Sequence, residues 1–173
     1  MKKMKGLCAA IVLSVTVFAC QNGDESSLTS DFTGNEATYA LQQASLYPIS
    51  GTVTFKEKKD GSAQIEVKLM GTSGDLVHPV HLHLGNVSVD AAELAATLNP
   101  VIGKKGVSVT DLKLLADETP ITYEQLKQMD ASIKIHLAEA GPEQDIILAA
   151  GNIGSAANSL TGGRVKIAIC KSE

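Results

Sequence analysis

The chain has no tryptophan, three phenylalanines, three tyrosines and a single arginine, Arg164. With aromatics at 3 %, a folded core has to be built from Val, Ile, Leu and Ala. Basic residues are outnumbered, giving a formal net charge of −4, which argues against nucleic acid as a partner. No glycine-rich phosphate loop, serine-centred nucleophile elbow or His-Glu-x-x-His helix motif is present. Internal repeats and long low-complexity runs are also missing. After the first twenty residues no apolar run is long enough to cross a bilayer as a helix, which takes roughly 20 residues.

What is there begins with Lys2, Lys3 and Lys5, followed by an apolar run from Gly6 to Ala19. A positive start and a short apolar core make a secretory signal, too short for a membrane-spanning helix. The run closes on Val17-Phe18-Ala19-Cys20, which resembles the bacterial lipobox, whose cysteine is lipidated and becomes the mature N-terminus. Residues 1–19 are therefore expected to be a lipoprotein signal peptide, and 20–37 a polar tether running from a lipidated Cys20. The expected location is the bacterial cell envelope, on the outer membrane, facing the periplasm or the surface; the lipid is the only membrane contact. With Cys8 in the signal and Cys20 lipidated, Cys170 has no partner for an internal disulfide and reads as a small buried side chain.

Residues 38–173 suit one domain. Ile49 to Lys56 and Ala63 to Met70 alternate as half-buried strands and flank Asp60-Gly61, a strong hairpin signal. Further strands are expected over 77–84, 107–115, 132–137, 146–150 and 165–170. Ala91 to Leu98 reads as a helical turn or two. Thr122, with Gln125 three residues on, opens a short helix through a capping box. Asp111, Asp117 and Glu118 read as solvated loop charges, and Lys104-Lys105 as a turn tip. Short strands separated by turns define an all-β sandwich or barrel with short helical turns in its long loops.

All four histidines fall into one pattern: His78, His81 and His83 in His-Pro-Val-His-Leu-His, and His136 in Ile133-Lys-Ile-His-Leu. Side chains alternate along a strand, so His81 and His83 share a face, a spacing suited to gripping one metal ion. His78 falls on the other face and is expected to brace the chain by donating to a backbone carbonyl. If the strand carrying His136 lies close by, three imidazoles converge, a set that suits copper or zinc.

In this order, Tyr39-Ala-Leu-Gln, Gly51-Thr-Val-Thr-Phe, the Asp60-Gly61 hairpin, His78-x-x-His-x-His83, Ile135-His136, Gly151-Asn-Ile-Gly154 and Cys170 resemble the Cu/Zn superoxide dismutases. The resemblance implies an eight-stranded Greek-key β-barrel with His81, His83 and His136 as copper ligands and His78 as the brace. It also implies copper cycling between Cu(II) and Cu(I) as superoxide is converted to oxygen and peroxide. Arg164 is the arginine available to guide the anion. The chain departs from the family at Thr97-Leu98-Asn99-Pro100, where Thr97 stands in place of the bridging histidine. No histidine lies between His83 and His136, so no zinc site is expected, and the loop cysteine that would pair with Cys170 is absent.

A second resemblance is to the chordin-type (CHRD) domain, carried by His81-Leu-His83-Leu84-Gly85 and a later strand with His136. It implies an extracytoplasmic β-domain with a binding or structural role. Three readings follow: a copper-dependent superoxide dismutase, a non-enzymatic copper-binding module of the same fold, and a CHRD-like domain whose histidines pack and hydrogen-bond. The expected partners are a copper ion and, for an active enzyme, superoxide.

Overall fold

The computed structural model describes residues 30–90, 92–158 and 167. Eight strands run in chain order as β1 (Phe32–Gln43), β2 (Ser50–Lys58), β3 (Ala63–Met70), β4 (Val77–Leu84), β5 (Leu94–Ile102), β6 (Val107–Leu112), β7 (Asp130–His136) and β8 (Ile147–Ile153). Two short helices are α1 (Tyr123–Gln128), between β6 and β7, and α2 (Gly154–Asn158), after β8. All strand pairs are antiparallel, in the order β5-β4-β7-β8-β1-β2-β3-β6. The non-consecutive neighbours β4–β7, β8–β1 and β3–β6 are Greek-key connections.

The two ends of that order meet. In place of a ladder, Asn99 Nδ2 donates to the Val109 carbonyl at 2.6 Å and Asn99 N donates to Thr110 Oγ1 at 2.8 Å. The result is a nearly closed all-β barrel, as the alternating strands and turn signals predict. Its interior is filled by Val53, Phe55, Ile65, Val67, Val80, Leu82, Ile133, Ile135, Leu148 and Ile153, all buried. On β2, β3, β4 and β7 they recur at every second position, the period of a strand with one face on the core. The Asp60-Gly61 turn joins β2 to β3, with Gly61 at φ +81°.

The capping box forms at α1: Gln125 N donates to Thr122 Oγ1 at 3.2 Å, and Thr122 N donates to Gln125 Oε1 at 2.9 Å. The buried Tyr123 and its N–H, 3.0 Å from the Gly61 carbonyl, dock this helix on the β2–β3 hairpin.

Two expectations need correction. The segment read as a helical turn over 91–98 is largely strand β5, in which the adjacent Ala95 and Ala96 are both buried. β1 begins at Phe32, inside the stretch expected to be tether. Thr33 to Glu36 are exposed, and the pairing with β2 is irregular here, resuming at Glu36 opposite Lys56. Glu57 Oε2 accepts from Thr33 Oγ1 and Asn35 Nδ2, each at 2.7 Å, and fastens this irregular end. The signal, Cys20, Arg164, Cys170 and the strand expected over 165–170 lie outside the described residues, apart from Ile167, which packs against Val87, Ile147 and Ala150.

Candidate metal centre

β4 and β7 are neighbours in the sheet, and their register decides which side chains meet. His81 stands opposite Lys134, and His83 opposite Ser132. Cross-strand partners point to the same side, and residues two apart on a strand share a face. The outward face of this pair therefore carries His81, His83, Ser132, Lys134 and His136, while Val80, Leu82, Ile133 and Ile135 fill the interior. Loops close over that face: His83, Ser132, Lys134 and His136 are all buried, and His81 is half-buried.

The three histidines that the sequence singles out come together. The His81 and His136 ring centres are 4.8 Å apart, those of His81 and His83 are 5.8 Å apart, and one ligand nitrogen from each of the three lies within 4.8 Å of the others.

Each of the two buried rings is oriented by a backbone carbonyl. His83 Nδ1 lies 2.9 Å from the Ala92 carbonyl, and His136 Nδ1 lies 2.7 Å from the Gln144 carbonyl. A carbonyl only accepts, so Nδ1 carries the proton in each ring, and Nε2 keeps a lone pair for a metal. The carbonyls come from the β4–β5 and β7–β8 connections, which grip the site from two sides. The first of these loops is tied down in turn by Val87 N, which donates to the buried Asn152 Oδ1 at 2.7 Å. His78 stays out of the cluster; its Nδ1 donates to the Leu137 carbonyl at 3.2 Å, joining β4 to the segment just after β7.

The electrostatics keep all three rings neutral. Burial, with smaller contributions from the neighbouring His136 and His83, pushes the His81 imidazole down from 6.5 to about 4. Burial also lowers His83 and His136, opposed in part by their carbonyl bonds and assisted by the charge of Lys134. Three neutral imidazoles form a ligand set for a borderline-soft divalent ion. Metal–nitrogen bonds of about 2.0–2.1 Å require the set to draw in by roughly 1 Å.

Comparison with protein-family models and with curated proteins finds no match for this chain. The site therefore rests on its own geometry. Thr97 sits opposite His81 on β5 and is exposed. Among the described residues the three histidines are the group able to hold a metal, and no carboxylate or cysteine joins them.

Sequence reasoning missed Ser132 and Lys134, which share the outward face with the ligands. The signal was present, because both keep the two-residue period that ends at His136.

Proposed function

We propose that this chain is a cell-envelope lipoprotein, anchored through Cys20, whose β-barrel binds a single copper ion through His81, His83 and His136. The supporting observation is the convergence of three imidazoles, two of them oriented by backbone carbonyls at Nδ1. An all-imidazole set without carboxylates disfavours calcium and magnesium, which take oxygen ligands, and suits copper or zinc. The choice of copper rests on the resemblance to the copper half of the superoxide dismutases. Bound copper would supply one-electron redox chemistry, so superoxide dismutation is the activity the reading extends to. The protein's part is to fix the ring orientations and keep the rings unprotonated.

A second reading is a non-enzymatic CHRD-like domain, favoured by Leu84-Gly85 directly after the histidine pair. Gly85 takes φ +78° there and turns the chain off β4.

The test is a Cu(II) titration of the full-length protein in mild detergent, followed by electron paramagnetic resonance. One equivalent should bind with nitrogen hyperfine structure, and His83→Ala or His136→Ala should weaken binding by at least about tenfold. Binding that is absent, or indifferent to both variants, overturns the copper reading and leaves the CHRD-like domain. Where copper binds, superoxide consumption no faster than that of free copper removes the dismutase extension.

A further inference from the structure

Asn152 is the one polar residue of β8, whose remaining residues are apolar or glycine, and it is buried. Burying a carboxamide is costly unless its hydrogen bonds are made, so an apolar side chain would suit this strand better if packing were all that mattered. Its oxygen accepts from a partner far away in sequence, the Val87 N–H, at 2.7 Å. Its Nδ2 donates to the Ala156 carbonyl at 3.4 Å.

The strand registers give this residue a definite place. Asn152 stands opposite Ser132 on β7, and Ser132 stands opposite His83 on β4. The three therefore form one polar row across adjacent strands on the outward face, and all are buried. The β4–β5 connection is fastened at both ends of that row. Val87 donates to Asn152 at one end, with its side chain packed against Ile147 and Ala150. At the other end the Ala92 carbonyl meets His83 Nδ1 at 2.9 Å. β4 and β8 are two strand spacings apart, about 10 Å. The stretch from Val87 to Ala92 could reach about 17 Å when extended. The connection thus has slack, and contacts rather than chain length fix where Ala92 lies. The bond from Leu84 N to the Glu93 carbonyl holds the residue after Ala92 and does not orient the Ala92 carbonyl itself.

We propose that Asn152 is a positioning residue of the metal centre: by holding Val87 it sets the β4–β5 connection so that the Ala92 carbonyl keeps His83 in one orientation with its proton on Nδ1. This deepens, and rests on, the metal-binding reading. Asn152 acts through the connection and on one ligand. His136 is oriented by the Gln144 carbonyl from the β7–β8 connection and stands outside this path. A residue that only stabilised the barrel would act on both rings alike.

The test uses the full-length protein in mild detergent, with Asn152→Leu, which keeps the branch at Cγ without its polar atoms, and Asn152→Ala. In the metal-free protein at neutral pH, ring-nitrogen NMR should show the His83 proton on Nδ1 in wild type and a mixture of both tautomers in the variants. His136 should be unchanged. Cu(II) affinity should fall by roughly three- to tenfold, less than the 10–100-fold typical of losing a direct partner of a ligand, because Asn152 acts one step further out. In a His83→Ala background the same substitution should cost less than about twofold, and in a His136→Ala background it should keep its full cost. Equal losses in the two backgrounds, or an unchanged His83 tautomer in a folded variant, overturn the positioning role while the metal site stands. Should neither variant fold, amide exchange in wild type decides: the Val87 N–H should exchange at least about tenfold more slowly than exposed loop amides, and equal rates overturn the role. A wild type that takes up no copper overturns the metal reading and this role with it; the tautomer measurement, made without metal, tells the two failures apart.

Discussion

A protonated imidazole at position 81 would be half-buried beside two other rings, and it is this cost that lowers its proton affinity to about 4. In the unfolded chain the same ring titrates near 6.5. Above 6.5 neither state holds the proton, so the shift leaves stability alone. As pH falls from 6.5 toward 4, the unfolded chain takes up a proton that the folded state refuses, and stability falls through that window before levelling off. The depressed values at His83 and His136 act in the same direction. The metal-free protein should therefore lose stability between pH 6.5 and 4, with the His81 ring titrating near the lower limit. A histidine side-chain NMR titration of the metal-free protein checks this; a His81 midpoint near 6.5 would contradict the burial seen here. Protons are thus weak competitors for the site, and metal should be retained at pH values where ordinary histidines are charged.

At the level of elements, the barrel has a short seam between β1 and β8, paired at Gln42–Ala150 and Gln43–Ala149 and continued by Ala44 N donating to the Leu148 carbonyl at 3.0 Å. Next to that ladder Gly151 meets the Ala40 carbonyl so closely that an added Cβ would lie 2.1 Å from its oxygen. Gly151→Ala should force β1 outward and cost about 1–3 kcal/mol, a typical overpacking penalty. Urea unfolding measures the loss, and amide exchange should quicken in β1 while β4 stays protected. A variant as stable as wild type would mean that the seam yields freely.

The seam also marks what the sequence could reveal of the fold. β2, β3, β4 and β7 declare themselves because every second residue is apolar, and the Asp60-Gly61 turn sets the first hairpin. The first residues of β1 carry no such alternation, since Thr33 to Glu36 are exposed and the pairing with β2 is irregular between Phe32 and Glu36. β5 was hidden because the buried Ala95 and Ala96 are adjacent, a spacing that fits a helix face as well as a strand. Ser132 and Lys134 were legible as positions on the face of His136 but not as buried residues. An outward face of a strand defaults to solvent, and only the folded β4–β5 and β7–β8 connections cover this one.

For the molecule as a whole, the proposed anchor decides where the site can act. Phe32, where β1 starts, is the twelfth residue after Cys20. However that stretch is arranged, it reaches at most about 43 Å when fully extended, taking about 3.6 Å per residue. A lipidated Cys20 would therefore hold the barrel within roughly one protein diameter of the membrane surface. Among the described residues no helix is long and apolar enough to cross a membrane, so the lipid would have to do the holding in this reading. Cys20→Ser should abolish incorporation of labelled fatty acid in cells. It should leave copper affinity within about twofold of wild type, because the ligands sit on β4 and β7, separate from the anchor. Undiminished fatty-acid labelling of Cys20→Ser would refute anchoring at this cysteine. A large loss of copper affinity would instead mean that the N-terminal segment takes part in the metal site, a contact that independent anchor and barrel functions do not allow.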